Sequence, residues 1–417
     1  MNIQKFIIIS WYDIKYKKKN ILITMEDDIK QNKPKKVQKT NYQLIEGDSE
    51  EHSIKSLDEI RDTTSLHKSS IKRVIVTGVT GQDGSFMADY LLKHTDCMVY
   101  GAVRRLSVKN YTNIHHLKRE PRFQLINLDL TDDYSIRDAI TEIKPHYFLN
   151  FAAQSFVDGS WDYPIQTWDT DATAVLHMLE SIRKFAPYCR FYNAGSSEEF
   201  GDVIKDPQDE EHPLRPQSPY GAAKAAARQL VRVYRESYDL YAVQGWLFNH
   251  EGTRRGKEFV TRKITHTIAK IKHAIQKNKE YDVLKLGNLD AQRDWTDAED
   301  FMSGVWLMMN QDAPKNYVLA SGKMNSVRGF LQETLKCANI KYKIVGEGEY
   351  EKFLTEDGKL IVEVDPTFYR PAEVHKLCGD CSLAETELGW TRIYDFKKLV
   401  KRMYESDYEE LKSRKIK

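Results

Sequence analysis

The sequence predicts an α/β protein with a doubly wound parallel sheet and a smaller, mixed α/β C-terminal domain. Between about residues 72 and 250, short β-branched runs that are apolar nearly throughout alternate with helical stretches. Such runs are typical of parallel strands, because the crossover helices cover both faces of the sheet. Beyond that point the alternation loosens into a long basic helix (258–278) and shorter pieces. The predicted strands are RVIVTG (73–78), MVYGAVRR (98–105), FQLINLDL (123–130), YFLNFAA (147–153), RFYNAGS (190–196) and AVQGWLFN (242–249).

Composition and charge narrow the class of protein. The 417-residue chain is 41% hydrophobic, which suits a globular protein of one large domain or two smaller ones. Its 63 lysines and arginines nearly balance 61 aspartates and glutamates, so we expect no nucleic-acid partner. Five cysteines, an odd number, argue against a disulfide framework and for a reducing, cytoplasmic location. Cys378 and Cys381 form a C-x-x-C without a second pair, and we assign no metal.

The first 70 residues differ from the rest of the chain. They combine mixed charge blocks with no sustained periodicity, which predicts a poorly ordered N-terminal extension. The apolar run FIIISWY (6–12) precedes a lysine cluster instead of following one, so it does not resemble a secretory signal. No run of 18 apolar residues occurs, and we expect no membrane span. Met25 offers a second start for translation.

A glycine-rich turn follows the first predicted strand and opens a helix. The segment TGVTGQDGS (77–85) places glycines at G-x-x-G-x-x-G spacing, which permits a tight turn and a close approach to a pyrophosphate. This context predicts a Rossmann-like, dinucleotide-binding domain. The residues of the turn that we expect to bind the cofactor are Gly78, Gly81, Gln82, Asp83 and Gly84.

The ends of the next strands indicate which dinucleotide is bound. Arg104 and Arg105 stand at the end of the second predicted strand, where an acidic side chain would bind a free ribose 2′-hydroxyl. Guanidinium groups there favour a 2′-phosphate and therefore NADP over NAD, although two arginines could also simply solvate a loop. Further cofactor contacts are expected at the ends of the third and fourth strands. They are Asp129 and Leu130, which would border the adenine, and Ala152, Ala153 and Ser155.

A tyrosine and a lysine share one face of a predicted helix. In SPYGAAKAAARQL (218–230), Tyr220 and Lys224 are four residues apart and therefore one helical turn apart. Tyrosine alone is a poor base near neutrality, but a nearby cation favours the phenolate. We expect Tyr220 to accept the proton of a substrate hydroxyl as hydride leaves the same carbon. The small alanine side chains would let the cofactor lie close to the helix. The alternative to a catalytic pair is a core tyrosine beside a surface lysine, which would be the usual interpretation of this spacing without the glycine-rich turn upstream.

Two further catalytic candidates follow the fifth predicted strand. Ser196, in NAGSSEEFG (193–201), can donate a hydrogen bond to a substrate oxygen. Glu198 is more than a simple oxidoreductase needs, because its carboxylate can remove a proton made acidic by an adjacent ketone and pass it to a leaving hydroxyl. That is dehydration chemistry. The alternative is that Glu198 caps the next element or faces solvent, and Glu199 is interpreted as structural.

With these residues in place, the chain resembles the extended short-chain dehydrogenase/reductases and, among them, the GDP-mannose 4,6-dehydratase family. The resemblance runs from about residue 72 to 410, and its later blocks are far more specific than the glycine turn. The blocks are GVTGQDGS, SPYGAAKAAA, VYRESYDLYA, LFNHEGTRRGKEFVTRKI, LGNLDAQRDWTDAEDF and VDPTFYRPAEVHKLCGD.

The resemblance implies a reaction without net redox change and assigns further residues. GDP-mannose would be oxidised at C4, lose water across C5 and C6, and be reduced at C6. Tyr220 and Lys224 would act in the oxidation at C4, where Lys224 would orient the nicotinamide ribose. Ser196 and Glu198 would assist the loss of water. His250 and Arg255 match cofactor-binding positions of the family. The positions that match GDP-binding ones are Asn249, Val260, Lys263, Arg293, Arg370 and Glu373.

Domain limits and assembly follow from the same resemblance. The NADP-binding domain is expected at 71–250, with a returning segment near 292–322, and the GDP-sugar-binding cap at 251–291 and 323–417. Family members form dimers that pair into tetramers through loops near RRLSVKN (104–110), so we expect a homodimer or homotetramer.

Two alternatives to the dehydratase remain. The family usually has threonine at Ser196, tyrosine at Gln166 and tyrosine at Phe200. Serine followed by SEEFG also resembles reductases that convert the 4-keto product to GDP-rhamnose, as a main or side activity. A non-catalytic NADP-binding sensor is the more remote alternative, since sensors on this fold typically lack the tyrosine or the lysine.

Overall fold

The computed structural model describes residues 71–368 and 377–413. Its centre is a sheet of seven parallel strands in the order β11-β6-β5-β4-β1-β2-β3, which confirms the predicted doubly wound α/β class. The strand order reverses between β1 and β4, the place where such sheets open a ligand crevice at their carboxyl edge. The strands are β1 Arg73–Thr77, β2 Met98–Val103, β3 Phe123–Asn127, β4 Tyr147–Asn150, β5 Arg190–Ala194, β6 Ala242–Leu247 and β11 Val318–Leu319.

Helices cover both faces of this sheet. Successive residues of β1 alternate between the faces, so Val76 packs into one hydrophobic cluster and Ile75 into the other, and both are fully buried. The helices of the described residues are α1 Gln82–His94, α2 Asp133–Ile143, α3 Gly159–Asp162, α4 Pro164–Trp168, α5 Ala174–Phe185, α6 Pro219–Tyr238, α7 Val260–Gln276, α8 Ala298–Met308, α9 Val327–Cys337, α10 Ser382–Leu388 and α11 Phe396–Ser413. Helices α1 and α8 pack on the first face, and α2, α5 and α6 on the second.

The helix that carries Tyr220 and Lys224 has a well-defined beginning and end. The Ser218 side chain accepts a hydrogen bond from the Gly221 backbone N–H at 3.0 Å, and Pro219 occupies the first helical position, where no N–H is needed. Asp239 ends the helix in the left-handed conformation, at φ 55°. The predicted alanine-rich helix is therefore α6.

The six predicted strands are all present, with shifts at their ends. The third was expected to reach Leu130, but β3 ends at Asn127, because the Asp129 carboxylate accepts hydrogen bonds from the backbone N–H and hydroxyl of Thr131 and turns the chain. Strand β11 was not predicted, since a two-residue strand carries no periodic signal. The predicted basic helix at 258–278 is α7.

A second sheet lies in the C-terminal part of the chain. Its order is β13-β14-β15-β8, with β15 and β8 parallel and the other pairs antiparallel. Helices α7, α9 and α11 pack with it around a separate hydrophobic cluster that includes the fully buried Phe330 and Phe353. Two short ladders, β7 with β10 and β9 with β12, complete the strands. These strands are β7 His250–Glu251, β8 Leu284–Leu286, β9 Gln292–Asp294, β10 Thr296–Asp297, β12 Met324–Ser326, β13 Tyr342–Val345, β14 Lys352–Thr355 and β15 Leu360–Val364.

Two sequence-based expectations concern other features of the chain. The proposed N-terminal extension lies outside the described residues. Within 71–368 and 377–413, none of the helices combines the length and apolar character that crossing a membrane requires.

Candidate active site

The glycine turn between β1 and α1 is packed too tightly for side chains. Gly78 has φ +64°, and a Cβ there would lie 2.8 Å from the Ala152 nitrogen. A Cβ on Gly84 would lie 2.4 Å from the Gly78 carbonyl oxygen, so the first turn of α1 rests directly on the loop. Helix α1 begins at Gln82, and its first N–H groups have no partners within the helix itself. This cradle fits the pyrophosphate of a dinucleotide.

Polar groups at the start of α1 also fit a polar ligand. The Gln82 Nε2 donates to Asp83 Oδ1 at 3.0 Å and to the His250 carbonyl oxygen at 3.1 Å. Its Oε1 is buried and has no hydrogen-bond partner within the described part of the chain. A buried amide oxygen without a partner costs free energy, and a ligand hydroxyl or amide can satisfy it.

His250 lies between two hydrogen-bond acceptors beside this turn. One ring nitrogen lies 2.7 Å from the Phe248 carbonyl oxygen and the other 2.9 Å from Asp83 Oδ2, and both partners are acceptors only. Burial lowers the pKa of His250, but the charge and hydrogen bond of Asp83 outweigh burial and raise it above its ordinary value. Burial likewise raises the pKa of Asp83, and His250 with Gln82 and Arg255 brings it down to about 2.

The other expected cofactor residues lie beyond the carboxyl ends of their strands. Arg104 and Arg105 directly follow β2 and are exposed. Asp129 and Leu130 lie in the turn after β3, and the backbone N–H of Ala152, just after β4, donates to Thr77 Oγ1 at 3.1 Å. The neighbouring residues after β4 are Ala153, which is partly buried, and Ser155, which is exposed.

Tyr220 and Lys224 are both buried on α6, with 8% and 3% of their surfaces exposed. The Lys224 Nζ donates to the Ala194 carbonyl oxygen at 2.9 Å and lies 5.8 Å from the centre of the Tyr220 ring. Ser196 forms a hydrogen bond with Tyr220 that lowers its pKa. Burial and the charge of Asp171 act more strongly, so the pKa of Tyr220 lies above its ordinary value. Burial thus opposes the Tyr220 phenolate, which we expect Lys224 and a bound nicotinamide to favour.

Ser196 and Glu198 belong to a short 3₁₀ turn, Ser197–Glu199, after β5. The Ser196 Oγ accepts a hydrogen bond from the Glu198 backbone N–H at 3.2 Å, and the Glu199 carboxylate accepts one from the Ser196 N–H at 2.8 Å. These reciprocal bonds form a capping box that fixes the turn. The charge of Glu198 also raises the pKa of Tyr220, as expected of a carboxylate near the phenol. A hydroxyl, a carboxylate and a phenol thus meet at the carboxyl edge of the sheet.

A chain of buried polar side chains lies behind these groups, and sequence reasoning did not identify it. It crosses four neighbouring strands by direct hydrogen bonds between side chains. The bonds run from Thr77 Oγ1 to Asn150 Oδ1 (2.5 Å), from Asn150 Nδ2 to Asn193 Oδ1 (2.7 Å), from Asn193 Nδ2 to Gln244 Oε1 (2.7 Å) and from Gln244 Nε2 to Glu199 Oε1 (3.0 Å). The available signal was the polar residue that interrupts the apolar runs YFLN, RFYN and AVQG.

Asp171 is a second buried acid that sequence reasoning missed. It lies in a π-helical turn, Asp169–Thr173, between α4 and α5, a type of distortion that is frequent at functional sites. Its Oδ1 accepts a hydrogen bond from the Gln154 N–H at 2.8 Å, and burial raises its pKa to about 6. No sequence pattern distinguished this aspartate from its neighbours.

The residues expected to hold the GDP moiety come from several elements. Asn249 follows β6, Val260 and Lys263 lie in the first turn of α7, and Arg293 lies on β9. The Lys263 Nζ lies 3.7 Å from the centre of the Phe368 ring. Arg370 and Glu373 lie outside the described residues.

Arg255, which we expected to contact the cofactor, interacts with two nearby side chains of the same segment. It pairs with Glu251 at 3.1 Å, and its guanidinium carbon lies 3.5 Å from the centre of the Phe259 ring.

One group of potential metal ligands occurs within the described residues. His266, Asp407 and Glu410 lie close together between α7 and α11. The Arg262 guanidinium already bonds Asp407 at 2.7 Å and approaches Glu410 at 3.6 Å, so a cationic side chain sits among the acids. We assign no metal to this group.

The comparison with known families decides among the activities that this arrangement allows. Residues 75–403 match the family model described as GDP-mannose 4,6 dehydratase. The chain belongs to the GDP-mannose 4,6-dehydratase family. GDP-mannose 4,6 dehydratases of Drosophila melanogaster and Homo sapiens are each 41% identical to it, over 83% and 80% of this chain and 88% and 91% of theirs. The Vibrio cholerae enzyme of that name is 40% identical over 82% of this chain and 95% of its own length.

Solved structures share the fold at lower identity. The dTDP-glucose 4,6-dehydratase of Bacillus anthracis, in complex with NAD, has a TM-score of 0.67 and 18% identity, over 83% of this chain and 100% of that one. RMD from Pseudomonas aeruginosa, complexed with NADPH, has a TM-score of 0.64 and 20% identity, over 81% and 99% of the two chains.

The departures from the family's usual residues occupy different environments. Phe200 is fully buried and stacks on Trp246, with ring centres 5.5 Å apart, so an apolar ring suits its site. Gln166 is exposed on α4. Ser196 keeps the hydroxyl of threonine, and its hydrogen bond lowers the pKa of Tyr220 against the larger effect of burial.

Proposed function

We propose that this protein dehydrates GDP-D-mannose to GDP-4-keto-6-deoxy-D-mannose and water. The observation that carries the proposal is that Ser196 and Glu198 act on Tyr220, one helical turn from Lys224, in a chain of this family. A phenol on a lysine-bearing helix suits oxidation of a hydroxyl. A carboxylate beside it suits the elimination that follows. The enzyme is thus a hydro-lyase.

The cofactor that we propose is NADP. Similar folds have been solved with NAD and with NADPH, which supports a nicotinamide cofactor. The two exposed guanidinium groups of Arg104 and Arg105 after β2 suit a 2′-phosphate. When bound, its nicotinamide would take hydride from C4 and return it at C6, and its positive charge would favour the Tyr220 phenolate. The groups that we expect to hold it are the glycine turn, Arg104, Arg105, Asp129, Leu130, Ala152, Ala153, Ser155, Lys224, His250 and Arg255.

The protein's own groups handle the protons. Tyr220 accepts the C4 hydroxyl proton, with Ser196 donating a hydrogen bond to the same oxygen as it becomes a ketone. The ketone acidifies the C5 proton, which Glu198 removes and delivers to the C6 hydroxyl, so that water leaves. Arg293 and Arg370 suit bidentate binding of the diphosphate, and Asn249, Val260, Lys263 and Glu373 complete the proposed GDP site.

Domain roles and assembly are part of the same proposal. Residues 71–250 with the segment near 292–322 would bind NADP, and 251–291 with 323–417 would bind the GDP-sugar.

An exposed apolar surface near α3 and α4 supports a homodimer or homotetramer. Its residues are Trp161, Tyr163, Ile165 and Trp168, which are 61%, 62%, 77% and 47% exposed. The five cysteines are free thiols, which supports a cytoplasmic location.

Mass spectrometry of a single incubation tests the reaction. Purified protein with GDP-mannose and NADP⁺, but no added reduced cofactor, should produce a nucleotide sugar lighter by one water, while UDP-glucose and dTDP-glucose stay unchanged. If GDP-mannose is untouched but supplied GDP-4-keto-6-deoxymannose is reduced with NADPH, the protein is instead a reductase. If neither sugar reacts, the sensor interpretation stands.

The choice of cofactor needs its own variant. Replacing Arg104 and Arg105 together by alanine should reduce the preference for NADP over NAD by about tenfold or more, because each charge-assisted hydrogen bond contributes about 1.5–3 kcal/mol. An unchanged preference would contradict the assignment of these two arginines.

A further inference from the structure

Glu199 and Arg228 form an ion pair buried directly behind the proposed catalytic groups. Glu199 is fully buried and the Arg228 side chain is 5% exposed. Two guanidinium nitrogens of Arg228, Nε and Nη2, reach the two carboxylate oxygens of Glu199. Removing such a pair from water costs free energy that its own attraction barely recovers, and apolar pairs are often as stable. Stability alone therefore does not account for the pair.

The Glu199 carboxylate connects the catalytic turn to the catalytic helix. Its Oε1 accepts the Ser196 N–H at 2.8 Å and the Gln244 Nε2 at 3.0 Å. The same Gln244 Nε2 lies 3.0 Å from the carbonyl oxygen of Lys224 on α6. One carboxylate thus holds the turn of Ser196 and Glu198 at a fixed distance from the turn of Lys224.

Arg228 anchors this carboxylate to the sheet. Its Nη1 donates to the Gln244 carbonyl oxygen at 2.6 Å and its Nη2 to the Gly245 carbonyl oxygen at 3.3 Å, both on β6. Its guanidinium carbon lies 3.4 Å from the centre of the Trp246 ring. Ring and strand together leave the guanidinium little freedom to move.

The backbone just before Ser196 rests on the pair. A Cβ on Gly195 would lie 2.7 Å from both Arg228 Nη2 and Glu199 Oε1, and 2.2 Å from the Gly245 carbonyl oxygen. A shift of either charged group would therefore be transmitted to Ser196. Because Glu198 and Glu199 are adjacent on one 3₁₀ turn, holding Glu199 inward also fixes the direction of Glu198.

We infer that the Glu199–Arg228 pair is a positioning device for the elimination step, holding Ser196 and Glu198 against Tyr220. This inference rests on the proposed function. The pair touches neither substrate nor cofactor in this scheme, so it should act on kcat and leave KM unchanged. The C5 proton transfer should suffer most, because Glu198 sits on the turn that the pair holds.

The test uses GDP-mannose deuterated at C4 or at C5 with the NADP-loaded enzyme. The main variant is Glu199→Leu with Arg228→Met, which replaces both charges by apolar groups. Because it also leaves the Ser196 N–H and the Gln244 amide without their acceptor, its thermal midpoint is measured first and the kinetics are run well below it. We expect kcat to fall about 10²-fold, as for a misplaced catalytic group. KM should not change, and the C5 isotope effect should exceed that of the wild type while the C4 effect does not. Glu199→Gln should recover part of the loss, because its amide oxygen still accepts from the Ser196 N–H.

The matched control is another buried glutamate paired with arginine, Glu351 with Arg328 near the second sheet. Glu351→Leu should change the thermal midpoint but neither isotope effect. If the double apolar variant keeps the wild-type kcat and isotope effects, the pair is only structural and the inference is overturned. If the wild type itself does not dehydrate GDP-mannose, the proposed function is wrong. That outcome differs from failure of the positioning inference, in which the wild type is active and the double variant is equally active.

Discussion

Buried polar side chains bond one another from strand to strand in the parallel sheet, whereas around the four-stranded sheet they bond within a helix or between helices. In the parallel sheet, Asn150, Asn193 and Gln244 bond one another across strands at the edge that carries the catalytic candidates. In the four-stranded region, the fully buried Thr334 hydroxyl donates to the Phe330 carbonyl oxygen within its own helix. A network with every member satisfied fixes relative positions over several strands, whereas a local bond satisfies one group. The two regions therefore differ in what the buried bonds connect: in the first they connect neighbouring strands at the edge that carries the catalytic candidates, and in the second they connect helices.

The strongest test of this contrast compares two buried tyrosines. Tyr220 and Tyr404 both have pKa values raised above the ordinary value by burial, but only the pKa of Tyr220 also responds to Ser196 and Glu198. Tyr220→Phe should lower kcat by about 10²–10⁴-fold, the usual contribution of a general acid–base group. Tyr404→Phe should leave kcat unchanged, with dehydration of GDP-mannose as the assay. Equal losses in the two variants would show that burial, not the catalytic constellation, matters.

Local patterns made much of the fold predictable. The glycine turn, the alanine-rich helix and the six apolar strands each depend on residues close together in sequence. Strand β11 escaped prediction because it has two residues and pairs with a strand far upstream.

The cross-strand hydrogen-bond network and the raised pKa of Tyr220 could not be predicted for a similar reason. Thr77 and Asn150 are 73 positions apart and Arg228 and Glu199 29 apart, so no periodicity joins them. The raised pKa of Tyr220 could not be predicted, because a sequence shows the neighbouring lysine but not the degree of burial that opposes the phenolate.

Breaking the cross-strand network should destabilise the protein more than breaking a local bond. Asn193→Ala leaves the Asn150 amide and the Gln244 amide oxygen without their partner, and each orphaned buried group costs about 1–3 kcal/mol. Thr334→Val removes a single bond within one helix, and we expect about 1 kcal/mol. Free energies of unfolding from denaturant titration measure both losses. A smaller loss for Asn193→Ala would mean that the network contributes little.

The two regions also offer a comparison of glycines. Gly84→Ala places a Cβ 2.4 Å from the Gly78 carbonyl oxygen, which should cost about 1–3 kcal/mol and weaken NADP binding. Gly348→Ala meets no atom within 4 Å, and its φ of +59° should cost about 1–2 kcal/mol without affecting the cofactor. Calorimetric NADP titration separates the two cases. Undiminished binding by Gly84→Ala would contradict the cradle assignment.

The smallest expected effect concerns the Asp83–His250 pair and its dependence on pH. The pKa of Asp83 is lowered to about 2, so its contribution to stability is present above the unfolded value of about 4 and is lost as pH falls toward 2. The pKa of His250 is raised, so its contribution is complete below the unfolded value of about 6.5 and is lost as pH rises through the folded value. The pair should therefore stabilise most between about pH 4 and pH 6.5.

Thermal unfolding of the wild type and of Asp83→Asn across this range measures the effect. The difference in the free energy of unfolding should reach about 1–2 kcal/mol within the window and shrink as pH rises through the raised pKa of His250, because the wild type then loses the proton that Asp83 stabilises. The control is Asp365→Asn, beside the four-stranded sheet, where hydrogen bonds from Thr367 and the charge of the exposed Lys285 lower the pKa of a partly buried carboxyl. Its effect should be smaller and should weaken with salt, because exposed charges are screened. A difference between wild type and Asp83→Asn that stays constant with pH would show that His250 does not depend on Asp83 for its charge.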